Sequence, residues 1–138
     1  MTREELETLS IGFTKAFNAE DLDAVMSYFA PDAVYNEFND LEHSGVEAIR
    51  RAFGPQFSGK FGKMRFHDED MFVDPDSGKS LIRWTLTLEE VGRQGAYRGL
   101  DILHFVEGKL VEKHTYCKAK VPLIRKKIDL IKEGAWPH

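Results

Sequence analysis

Apolar residues recur at helical spacing over residues 4–17, where Leu6, Leu9, Phe13, Ala16 and Phe17 mark one face of an amphipathic helix. The next stretch, NAEDLDAVMSYFA, predicts a second helix that Asp21 can cap, with Leu22, Val25, Met26 and Phe29 as its stripe and Pro31 as its limit. Together they predict a helical hairpin. A short strand, AVYNEF, follows. Ser44 with Glu47 three residues later is a capping-box signature for a third helix carrying Val46, Ile49 and Phe53, which Gly54-Pro55 is expected to end.

Beyond the loop SGKFGK the apolar period shortens to two. The segments KMRFHDEDMFVD, KSLIRWTLTLEEV, AYRGLDILHFVE and KLVEKHTYCKAK read as strands, and their separators PDSG, GRQG and EG hold the residues that tight reversals need. They predict antiparallel hairpins. In the second, Ile82, Trp84, Leu86 and Leu88 alternate with Arg83, Thr85 and Thr87, so one face is buried and the other is wetter. The closing segment PLIRKKIDLIKEG spaces Ile124, Ile128 and Ile131 as an amphipathic helix. Helices followed by a long antiparallel sheet make an α+β fold with the helices on one face, and a strongly curved sheet around them would form a cone with a mouth.

The 138 residues fit one domain, 1–138, of ordinary globular composition, 42% hydrophobic and 30% charged. No stretch has the apolar length of a membrane span, and MTREELETLS lacks the apolar segment of a secretory signal, so a cytoplasmic location is expected. Cys117 is the one cysteine and has no partner for an internal disulfide or a zinc pattern. A net charge of -4 argues against nucleic acid and points to a small molecule or a protein as partner.

The strand YRGLDILHF carries one acid. Asp101 shares a face with Leu103 and Phe105, so it either lines a pocket or pairs with a basic neighbour such as Arg98 or Arg83. Glu37, in the polar run NEFND, is a second carboxylate, readable as a solvated strand end or as a base; Tyr35 lies on its face. Trp84 and Phe105 are core residues that become pocket wall if the core opens into a cavity. His67 and His104 suggest histidine acid/base chemistry, but His104 is out of phase with Asp101. No pair of histidines has ligand spacing on one element, so no metal is expected.

The run FTKAFNAEDLDAVMSYFAPDAVYNEFNDLEHSGVEAIRRAF, with its PDAVY and SGVEAI segments, and the hairpin LDILHFVEGKLVEK resemble the nuclear transport factor two superfamily. Within it, the chain is most similar to the SnoaL-like polyketide cyclases and the ketosteroid isomerases. The resemblance implies the cone-shaped, cystatin-like fold and a pocket for a small hydrophobic molecule bearing a carbonyl or ring. It puts Asp101 where the isomerases hold a protonated aspartate facing an oxyanion and the cyclases an acid/base aspartate, and Glu37 where the isomerases hold a proton-shuttling aspartate.

Three departures accompany it. Phe13 stands where the isomerases have a hydroxyl-bearing tyrosine; the loop from Glu37 to Gly45 is one residue shorter; and Glu112-Lys113-His114 replaces the cyclase Glu-His-Trp. The same alignment turns Lys113, Thr115 and Cys117 inward. Lys113 can then pair with Asp101 or Glu37, or extend its amine to water, and Cys117 reads as a small buried residue rather than a nucleophile.

The candidate catalytic residues are thus Asp101 and Glu37, and the candidate binding residues Phe13, Tyr35, Trp84, Leu103, Phe105, Lys113, Thr115 and Cys117. No cofactor is expected. Two functions stay open: cofactor-independent isomerisation, cyclisation or elimination, and non-catalytic ligand binding or dimerisation. The resemblance also implies a homodimer through the convex sheet face, where His104, Glu112, His114 and Tyr116 would lie, with the closing helix either a lid or a second contact.

Overall fold

The computed structural model describes residues 1–138. Helix α1 (Arg3–Asn18) begins at a reciprocal cap in which Glu5 N–H donates to Thr2 Oγ1 at 3.1 Å and Thr2 N–H donates to Glu5 Oε2 at 3.0 Å. Helix α2 (Leu22–Ser27) starts where the Asp21 carboxylate accepts from Ala24 N–H at 3.0 Å, as expected. The chain then runs through β1 (Phe29–Asn36), β2 (Glu42–Ser44), α3 (Val46–Phe57), β3 (Lys63–Asp74), β4 (Lys79–Glu90), β5 (Arg93–Val106), β6 (Lys109–Cys117) and α4 (Lys127–Lys132).

Six strands form one curved, open sheet in the order β2-β1-β6-β5-β4-β3. The α+β expectation holds, with one change: β1 lies parallel to β6, pairing Tyr35 with Lys113 and Asn36 with His114. Hairpin signals concern neighbours in sequence, whereas a parallel pair needs a long crossover, here everything from β2 to β5. That single pairing brings the Glu37 end of β1 beside the inward residues of β6.

Two expectations for α3 are corrected. Ser44 does not cap the helix, because it remains in β2 opposite Val34. Gly45 takes the cap position at φ +87°, with its N–H on the Ala33 carbonyl at 2.8 Å and its own carbonyl accepting from Ile49 N–H at 3.1 Å. Only glycine holds that backbone without strain. Nor does Gly54-Pro55 end the helix, which runs on to Phe57 with Pro55 inside it. Proline removes one donor, and the carbonyl left without it belongs to the exposed Arg51.

Helices α1 and α3 press Leu6, Phe13, Phe17, Ile49 and Phe53 into the concave face, where they join Ile82, Trp84, Leu103 and Phe105 in a cluster of 18 buried apolar residues. On the outer face a bulge between Asp68 and Asp70 projects Glu69 toward Thr85, Arg83 and Arg98. These hydrogen bonds, Thr85's first, hold the Glu69 carboxyl below its usual range. Arg83 and Arg98 are therefore engaged away from Asp101. Arg83 sits across from Leu100, and Arg98 is three positions from Asp101 on one strand, so both face the other side.

Helix α4 is only six residues long and buries none of them. Ile124, Ile128 and Ile131 stay exposed, so the amphipathic spacing is present but uncovered. Arg125 ties this segment to the β1–β2 loop through Asp40 at 3.1 Å and also pairs with Glu133. No helix is long and apolar enough to cross a membrane.

Candidate functional site

The concave face does not fill completely. Between the wide end of the sheet, α1 and α3 a cavity of about 380 Å³ remains, lined by 20 residues of which 13 are hydrophobic. Phe38, Lys60 and Phe61 form its exposed rim, while Phe17, Phe53, Trp84 and Leu86 are buried wall.

Deep in that wall lies a polar cluster built by two strands. Period-two alternation on β5 turns Tyr97 and Asp101 inward, and on β6 it turns Lys113, Thr115 and Cys117 inward; Asp101 and Thr115 are direct cross-strand partners. Asp101 accepts from Trp84 Nε1–H at 3.0 Å on one oxygen, and from Thr115 Oγ1–H at 2.6 Å and Lys113 Nζ–H at 3.1 Å on the other. Lys113 also donates to Thr115 Oγ1 at 2.7 Å. Asp101 is 9% exposed and Lys113 5%, so the pair is shielded from water and each member answers the other's charge. No buried side-chain polar atom is left without a partner.

The remaining sides of the Lys113 ammonium are aromatic. Its Nζ stands 4.4 Å from the centroid of Tyr35, 5.7 Å from Phe53 and 5.9 Å from Phe17, within cation–π range. Tyr35 in turn stacks on Phe53 at 4.8 Å. Burial, and then the Asp101 and Glu37 charges, push the Tyr35 phenol above its usual range. Burial first, then the neighbouring Cys117, Tyr35 and Asp101, raise Tyr97 to about 12. Cys117 is pushed up to about 11 by burial and by Asp101, against a smaller opposing effect of Lys113. All three groups are therefore neutral at neutral pH, and Cys117 is a thiol rather than a nucleophilic thiolate.

Glu37 lies just past β1 on the cavity wall, and its carboxylate meets His43 Nε2 at 2.6 Å. The turn that makes this possible has Asp40 at φ +67° and the Glu37 N–H on the Leu41 carbonyl at 2.9 Å, which folds β2 back so that His43 opposes Tyr35. Sequence reasoning missed His43 because it saw no strand there. The signal was the FND reversal three to five residues before it.

Of the residues expected at the site, Tyr35, Glu37, Trp84, Asp101, Lys113, Thr115 and Cys117 line one cavity. Phe13, Leu103 and Phe105 do not. They sit in the closed narrow end, where Phe13 packs edge-on against Phe17, Tyr28 and Phe29, and where Leu103 is 0% exposed. The resemblance implies a protonated aspartate donating into the pocket; here Asp101 accepts every hydrogen bond it makes. Tyr97, Phe66 and Met64 line the cavity without having been anticipated, although Tyr97 is in phase with Asp101. No lining residue comes from beyond Cys117, so α4 does not cover the mouth.

Among solved structures, Bal32a from a soil-derived mobile gene cassette is similar at a TM-score of 0.72 and 19% identity, covering 83% of this chain and 89% of that one. A protein of unknown function with a cystatin-like fold from Methylobium petroleophilum PM1 reaches 0.75 at 15% identity, covering 100% and 95%. TerC, co-crystallised with polyporic acid, reaches 0.70 at 11% identity, covering 83% and 92%. Identities this low establish the shared fold and nothing finer. No curated protein matches the chain. The family profile of the SnoaL-like domain does match, over residues 11–113, in keeping with the paired helices, third helix and β5–β6 hairpin described above; the chain belongs to the SnoaL-like domain family.

Proposed function

We propose that this protein binds a small, largely apolar molecule bearing a ring and a carbonyl in its conical cavity, and that Glu37 acts there as a base in cofactor-independent isomerisation, cyclisation or elimination. The observation that carries the reading is one apolar cavity holding both a carboxylate at its wall and a buried polar cluster. Such pockets bury an apolar ligand and orient it through a few polar groups. In this chemistry Glu37 takes a proton from the carbon next to the carbonyl, the C–H electron pair moves toward the carbonyl oxygen, and His43 holds the carboxylate oriented. The TerC complex supports a ligand in this fold, since that protein was crystallised with polyporic acid.

Binding is tested first. Trp84 lines the cavity and the other tryptophan, Trp136, lies in the exposed tail, so a Trp136→Phe background isolates the Trp84 signal. Saturable quenching by aromatic ketones or hydroxynaphthalenes is expected, and its absence across the panel would sink the reading. Catalysis is tested separately, by deuterium exchange into an enolisable aryl ketone. Glu37→Gln should slow exchange about a hundredfold, the lower end of general-base contributions, with binding unchanged.

The second reading, a binding module without turnover, is favoured by one observation. The aspartate expected to act as acid has both oxygens occupied. Exchange by the parent no faster than in protein-free solution, with binding intact, would establish it, whereas equal, accelerated rates for parent and Glu37→Gln would remove Glu37 as the base.

A further inference from the structure

In the cavity, Lys113 is the only cation buried in the wall; the other lining cation, Lys60, is on the exposed rim. An ammonium has three N–H groups. Asp101 and Thr115 take two, and no protein oxygen or nitrogen takes the third. The rings of Tyr35, Phe53 and Phe17 surround the rest of the headgroup. Rings steady a cation without accepting a directed hydrogen bond as strong as an anionic oxygen would.

The charges around it set what that donor can select. Asp101 is the one carboxylate in contact with Lys113. Glu37 is engaged by His43. The other acidic groups of the wall, Tyr35, Tyr97 and Cys117, all hold their protons at neutral pH, so none competes as an anion for the ammonium. In a shielded site, charge developing on a ligand oxygen would interact with Lys113 far more strongly than it would in water.

We propose that Lys113 is the specificity-determining cation of the cavity, selecting ligands with an ionisable or charge-accumulating oxygen such as an enol, a phenol or an enolisable carbonyl, and that Asp101 and Thr115 are positioning residues that aim it. This inference rests on the cavity being a ligand site. It reassigns the oxyanion-facing role from the aspartate, whose oxygens are occupied, to the lysine that the aspartate holds.

The test uses 4-nitrophenol, whose phenolate is coloured, with nitrobenzene as an uncharged comparison, and excess protein. The parent should bind both probes, and bound 4-nitrophenol should ionise at least one pH unit below the free phenol, equivalent to about tenfold tighter phenolate binding. Lys113→Met should abolish that displacement while nitrobenzene still binds, and Lys113→Arg should restore part of it. Lys113→Met leaves Asp101 unpaired and risks misfolding, so the double variant Lys113→Met/Asp101→Leu serves as a second carrier of the same comparison.

Ionisation of bound 4-nitrophenol that is unchanged or displaced upward in the parent overturns the inference and leaves the cavity reading standing. A displacement that persists in a folded variant lacking Lys113 also overturns it. Failure of both probes to bind removes the cavity reading for small aromatic ligands, and the inference with it.

Discussion

Asp101 and Lys113 form an ion pair that neither could leave without stranding the other. Taking both charges out of water is costly, and their attraction offsets that cost only because Thr115 and Trp84 supply further hydrogen bonds. Asp101→Leu should therefore destabilise the protein by about 3–5 kcal/mol, the range for breaking a buried pair, mainly by isolating the Lys113 ammonium. Adding Lys113→Met should recover most of that loss, read from urea midpoints. A double variant no more stable than Asp101→Leu alone would show that the two charges are not coupled. The inward face of Asp101 was legible in the strand's period-two pattern. Its partner came through the resemblance, which turned Lys113 inward to pair with Asp101 or Glu37; the strand pattern alone did not give it, because Lys113 lies diagonally across the β5–β6 pair, whose register shifts between His104 and Phe105. Arg98, nearer in sequence, and Arg83 on the neighbouring strand were the basic residues that the pattern offered, but both face the other side of the sheet.

At the level of elements, the site depends on how closely β5 approaches β4 and β6. Gly99 lies between Trp84 on one strand and Cys117 on the other. A methyl group there would meet the Tyr116 carbonyl and the Trp84 indole. Gly99→Ala should cost roughly 1–3 kcal/mol, as overpacking does, and should displace Trp84 enough to weaken its hydrogen bond to Asp101. The check is a lower urea midpoint together with altered Trp84 fluorescence in the Trp136→Phe background; a midpoint and spectrum like the parent's would show that the strands spread freely. The four long strands were readable because alternation and turn residues agree along each of them. Elsewhere local signals misled: Ser44 has the spacing of a cap, yet strand pairing claims it and Gly45 takes the turn. Likewise Gly54-Pro55 looks like a stop, but α3 continues through it because the helix packs Phe53 and Phe57 beside Phe17.

Over the whole molecule, the layout of helices and sheet was readable from chain order, whereas the boundary between closed core and open cavity was not. Phe13, Leu103 and Phe105 share their pattern with the wall residues and differ only in being at the narrow end, a property of the assembled cone. The wall of the cavity at the wide end shields acidic groups as well as apolar ones, and this gives stability a definite pH dependence. In the unfolded chain Cys117 and Tyr97 ionise near their ordinary values of 9.0 and 10.0, while in the folded protein they hold their protons to about 11 and about 12. As pH rises through that window the unfolded state releases protons that the folded state keeps, so stability is flat with respect to these groups below about pH 9 and falls above it. Urea midpoints measured from pH 7 upward should show this decline, and Cys117→Ala should remove the earlier part of it, leaving a later fall from the tyrosines. An unchanged slope in Cys117→Ala would mean that the thiol is as well solvated in the folded protein as in the unfolded chain, and that the cavity wall at β6 is open to water rather than shielded.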